Sequence, residues 1–230
     1  MNRTFFLKAA SVATLSIAAI ASSATTAQAQ SELNFEGNAR VSDQPGSGGA
    51  NLLIDFLVNG RTARTPGGTV TAVETIGPDF TGVMVGTQGT ISDLVANSSG
   101  FVGLPVNPLL TIGDYTFTLT GAPNGNIFGP ISLFDIGTNT VAAFGVSGTV
   151  TGGSFGTTVR NFEGAFTAQF AGQTPAQVFN AINRGGTRAV SFSAEFVVAP
   201  QQVIPEPSTY ALLATGIGAL GMMARRRQRA

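Results

Sequence analysis

The chain has 230 residues, no His, Cys or Trp, and a single lysine, Lys8. Thiol nucleophiles, His-based triads, disulfides, His/Cys zinc sites and phosphate-binding P-loop lysines are therefore excluded. Twelve basic residues balance twelve acidic ones, but the two termini hold six of the basic residues and only Glu206 of the acidic ones, leaving the middle 175 residues at −5. A mildly acidic body without basic runs has no electrostatic footprint for nucleic acid or anionic lipid, so no nucleic-acid partner is expected.

Residues 1–29 read as a signal peptide. Arg3 and Lys8 make a short positive region, and the apolar stretch AASVATLSIAAIA runs from Ala9 to Ala21. That length suits a signal core and is too short to span a bilayer comfortably. Signal peptidase requires small side chains at its recognition positions, here Ala27 and Ala29, which places cleavage before Gln30. The expected export partners are the Sec translocon and signal peptidase; the alternative is an N-terminal membrane anchor.

Residues 30–199 read as an all-β body. Leu33, Phe35, Gly37, Ala39 and Val41 alternate with Asn34, Glu36, Asn38 and Arg40. Leu52, Ile54, Phe56 and Val58 alternate with polar residues, interrupted by Leu53 and Leu57. Tyr115, Phe117 and Leu119 alternate with threonines; Phe162, Phe166 and Phe170 share a face; and Val190, Phe192, Ala194, Phe196 and Val198 form another stripe. Period-two patterns of this kind predict strands with one buried and one wet face. Less regular apolar segments at 70–76, 91–95, 131–136 and 142–150 predict further strands, with turns at Gln44–Gly49, Ala122–Gly125 and Gly152–Gly156. Near the end, Thr174-Pro175-Ala176-Gln177 is a capping box with proline in the first helical position, and Gly185-Gly186 stops the short helix it opens. The expected body is an antiparallel β-sandwich or jelly roll of roughly eight to eleven strands with one helix.

After a spacer at 200–204, residues 205–230 carry Pro205-Glu206-Pro207, then fifteen uncharged residues from Tyr210 to Ala224, then Arg225, Arg226, Arg227 and Arg229. The two prolines stiffen the entry. The apolar run is a short transmembrane helix of roughly 22 Å, marginal for a hydrocarbon core of about 30 Å. The arginines are expected to stay cytoplasmic and set the orientation, leaving the body outside.

Gly152-Gly153-Ser154-Phe155-Gly156 matches the nucleophile-elbow pattern, but that serine needs a histidine base and the chain has none. The carboxylates, including Glu74 with Asp79 and Glu163 with Glu195, are scattered singly, and Asp43 beside a glycine-rich loop is no calcium loop. The Gly-Thr pairs have no fixed spacing, which argues against a solenoid or an ice-binding array of ranked threonines. No catalytic residue, metal site or cofactor is expected. The outward threonines Thr116, Thr118 and Thr120 leave a glycan-binding module or adhesin as the alternative to a structural protein.

The Pro-Glu-Pro motif, short helix and terminal arginine cluster, behind a signal peptide, resemble the PEP-CTERM sorting signal of bacteria that make exopolysaccharide. The resemblance is confined to the tail. It implies an exosortase as processing partner, with Pro205, Glu206 and Pro207 as recognition residues, and the membrane as host of the precursor. It also implies a mature form at the cell surface or outside the cell, associated with exopolysaccharide. Members often carry Trp where this chain has Tyr210. The alternative is a permanent tail anchor.

Overall fold

A computed structural model of the chain describes residues 30–45, 47, 51–58, 67–126 and 128–199. The segments expected to be a signal peptide and a transmembrane helix, together with the Pro-Glu-Pro motif and the arginine cluster, lie outside the described residues. So do parts of the turn expected at Gln44–Gly49. Among the described residues no helix is long and apolar enough to cross a membrane.

The body is antiparallel β structure with one short α-helix. Its strands are β1 (Ser31–Asp43), β2 (Asn51–Phe56), β3 (Gly68–Ile76), β4 (Gln88–Ile91), β5 (Leu94–Asn97), β6 (Gly100–Phe101), β7 (Val106–Ile112), β8 (Tyr115–Gly121), β9 (Ile131–Ile136), β10 (Asn139–Gly152), β11 (Arg160–Phe170) and β12 (Thr187–Val198), with α1 (Pro175–Asn183) before the last. All five stripes form strands with the predicted faces inward, although β2 stops at Phe56, before Val58, and buries part of its other face as well. The segment expected at 91–95 is split, because Ser92 and Asp93 separate β4 from β5.

Hydrogen bonding runs in a circuit, β1–β3–β4–β7–β8–β10–β11–β12, and β12 pairs back on β1 from Ser31↔Val198 to Ser42↔Thr187. Eight strands therefore close into a barrel. The expected sandwich presumed two sheets, but side-chain alternation is the same whether two sheets face each other or one sheet meets itself; the pairing decides. Closure leaves the long strands β1 and β10 with spare length. The first half of β1 pairs with β3 and its second half with β2, while β10 pairs with β8 at one end and β9 at the other. One end of the barrel is thus closed by the ring. The other flares into β2–β5–β6 on one side and β9 on the other, with α1 packed beside it.

The interior is aromatic. Phe196, fully buried, meets Phe35, Phe117, Phe162 and Phe166 at ring-centroid distances of 4.7–5.7 Å. Phenylalanine suits this space because it fills volume without requiring a hydrogen-bond partner. Gly164 matters here: a side-chain carbon in its place would run into the Phe196 ring, so this glycine is the recess that lets the rings interlock.

The irregular pattern of β2 has a simple cause. Ile54 and Phe56 face the core, but Leu53 and Asp55 on the opposite face are also buried. Asp55 is directly opposite Arg40 in the β1–β2 register, with a 3.9 Å ion pair between them.

Candidate functional site

The first and last strands of the body are neighbours, and Ser31 sits opposite Val198. The described body therefore begins and ends at the same end of the barrel. That end is plugged. The Tyr115 hydroxyl donates to the Asp79 carbonyl at 2.6 Å and lies 3.1 Å from the Thr81 carbonyl, and the Ser154 amide donates to it at 3.2 Å. Ser154 Oγ donates to the Asp79 carbonyl, and Ser31 Oγ donates to the Asp79 carboxylate at 2.8 Å. Phe80 and Phe155 pack edge-on against the Tyr115 ring.

The nucleophile-like serine is thus part of a polar knot. Its pentapeptide forms a 3₁₀ turn, Gly153–Phe155, between β10 and β11. Gly153 has a φ of 52° and lies on the Tyr115 ring, where any side chain would collide. Glycine is required there for both reasons.

The paired carboxylates come closer together than their sequence spacing suggested. Glu163 faces Val197 and Glu195 faces Ala165, so these two glutamates are diagonal neighbours on the outer surface of β11 and β12. Both are exposed, as expected for solvated-face residues. Asp79 is taken up by Ser31, and Asp43 accepts from Ser47 Oγ. Among the described residues no group of three or more acidic side chains is placed to hold a metal ion.

One arrangement escaped sequence reasoning. Thr69, Thr90, Thr111, Thr116 and Thr151 stand opposite one another in successive registers across β3, β4, β7, β8 and β10. All five point outward, since their sequence neighbours on each strand face the core or a turn. At the usual strand spacing they form a hydroxyl rank with a step of about 4.8 Å. The rank is made by register between strands, which leaves no period in the sequence. It does not make a flat ice-binding face. Five consecutive strands of a closed eight-strand ring cannot lie in one plane, so the rank is a belt.

The belt has a counterpart on the other side of the barrel. Thr167, Ser193, Glu36 and Thr71 follow one another across β11, β12, β1 and β3 and line an open polar groove. Beside them the Ser191 hydroxyl donates to Asn38 Oδ1 at 2.9 Å. Tyr115, the one tyrosine of the body, is buried and offers this surface no aromatic platform.

The flared end holds a different feature. Beneath α1, an apolar cavity of about 80 Å³ is lined by inward residues of β1, β2, β9, β10, β11 and β12 and by Val178 and Ile182 of the helix.

Residues 203–228 match the PEP-CTERM protein-sorting motif. No curated protein and no solved structure matches the chain. The matched stretch falls where the resemblance was expected and spans Pro205, Glu206 and Pro207. The chain is a protein that ends in a PEP-CTERM sorting motif, the mark of an exported protein sorted by an exosortase.

Proposed function

We propose that the protein is a non-catalytic structural component of the cell surface or of the extracellular, exopolysaccharide-associated matrix, delivered there by exosortase sorting. The observation that carries this reading is the sorting motif at 203–228, attached to a body that departs from its own termini as a closed barrel. The body's chemistry supports it. Its interior is packed aromatic side chains, its one nucleophile-like serine is engaged with Asp79 and Tyr115, and its paired glutamates stand in open solvent. The precursor sits in the inner membrane through residues 210–224, with the body periplasmic, before transfer.

Intact-mass analysis of protein recovered from the cell surface tests the reading. The expected species starts at Gln30 and lacks Tyr210–Ala230. Glu206→Ala leaves a precursor that is anchored and uncleaved. Surface protein carrying the entire tail would reject exosortase processing.

A second reading, a glycan-binding module or adhesin, is favoured by the threonine belt and the polar groove opposite it. Hydroxyls at roughly 4.8 Å intervals offer repeated donors and acceptors to a hydroxylated polymer. Each contact is weak, so retention on a polysaccharide would rest on many sites acting together. Co-sedimentation with purified exopolysaccharide separates the two readings: Thr90→Val combined with Thr111→Val lowers retention if the belt binds glycan and leaves it unchanged otherwise.

A further inference from the structure

The two ends of the barrel are filled differently. Where the ring closes, the inward positions carry Phe117, Phe162 and Phe196; toward α1 small residues, Ala39, Val41, Ala142, Ala168 and Val190, are interleaved with Phe144, Phe166, Phe170 and Phe192. The small residues come from four strands, β1, β10, β11 and β12, and the space lies between them and the rings. The space is covered by α1 through Val178 and Ile182, which with Phe170 form a buried cluster separate from the main core.

The cavity is empty of polar partners along its inner walls. Water requires two to four hydrogen-bonding groups to settle in such a place, so this space is dry or filled by something apolar. Its size, about 80 Å³, is roughly half that of a cavity known to take benzene. A ring does not fit without displacement of the helix, whereas a few methylenes of an unbranched chain do. The polar residues of the lining include Asp43, Asn51 and Asn183, which are partly or fully exposed and so lie at the rim. Amides beside a carboxylate suit an uncharged, hydroxylated head group and disfavour an anionic one.

We propose that the flared end of the barrel binds the unbranched alkyl chain of an uncharged amphiphile, with the chain inserted between β1, β10, β11 and β12 and α1 closing over it. The site is independent of the sorting tail and of the hydroxyl belt, which lies on the outer surface.

The test uses protein recovered from the cell surface, titrated calorimetrically with octyl glucoside below its micelle concentration, with glucose as the head group alone. Saturable one-to-one binding with a negative heat-capacity change is expected for octyl glucoside and none for glucose. Ala142→Leu and Ala168→Leu, made separately, fill the cavity; each is expected to keep the β-sheet circular dichroism and to weaken binding at least tenfold. Absence of saturable binding to the wild-type protein overturns the proposal, whether or not the variants fold. Equal binding by wild type and both folded variants overturns it as well. Decanoate is expected to bind at least tenfold more weakly than octyl glucoside; equal affinity overturns the assignment of an uncharged head group.

Discussion

The plugged end and the flared end of this barrel solve the same problem in opposite ways. At the plugged end, Tyr115 fills the bore with its ring and answers backbone carbonyls with its hydroxyl, so apolar burial and polar satisfaction come from one side chain. At the flared end, small side chains set among phenylalanines leave a pocket, and a nine-residue helix is laid across it. The helix buries only Val178 and Ile182. The contrast teaches that a closed sheet does not require a uniformly filled interior. Rigidity can be concentrated where the chain enters and leaves, and adaptability placed at the other end.

The largest expected effect comes from the packed end. Phe196→Ala removes a ring at the junction of four others and is expected to cost about 4 kcal/mol. Denaturant melts would measure the loss; a value below about 1 kcal/mol would mean that the rings do not interlock as described. Tyr115→Phe keeps the ring and deletes the hydroxyl, leaving buried carbonyl groups short of a donor, for about 1.5 kcal/mol. If that variant is as stable as the parent, the polar knot contributes nothing and the two ends differ only in packing.

The cap of α1 probes the other end. The Thr174 side chain accepts from the Gln177 amide, and the Gln177 side chain accepts from the Thr174 amide at 2.8 Å, the capping box read from the sequence. Thr174→Ala is expected to cost about 1 kcal/mol. Amide hydrogen exchange should accelerate at Val178 and Ile182 while β8 remains protected, because the helix opens locally. Uniform acceleration across the barrel would show that both ends open as one unit. The smallest effect is expected on the belt: Thr111→Val should change stability by under about 0.5 kcal/mol, so that any change in binding reports the lost hydroxyl alone.

What was legible in the sequence follows from where each signal is stored. Alternation along a strand is local, so β1, β8, β11 and β12 were visible from their phenylalanines, and the helix was visible from Thr174 and Pro175. β7 was missed because Asn107 and Pro108 interrupt its pattern; Pro108 lies in the irregular stretch between Val106 and Leu110, where the ladder to β8 shifts register. A proline without an amide hydrogen is tolerated there and hides the strand. The closure of the sheet, the threonine belt and the adjacency of Glu163 and Glu195 are properties of register between distant segments. No single strand contains them. The sorting tail was legible because its information is a short linear motif that the fold does not have to assemble.

The pairing of Ser31 with Val198 has a consequence for how the protein is made. Asn38 waits 153 residues for its hydrogen-bond partner Ser191. In a chain threaded out amino end first, β1 stands as a bare edge until almost the entire body has emerged, since its full-length neighbour is the last strand. The entropic cost of joining such distant segments falls on the final step of folding. Shutting the barrel and arrival of the sorting tail at the membrane thus come at nearly the same moment. A body stalled short of β12 would present an unpaired edge just as its tail became available for sorting.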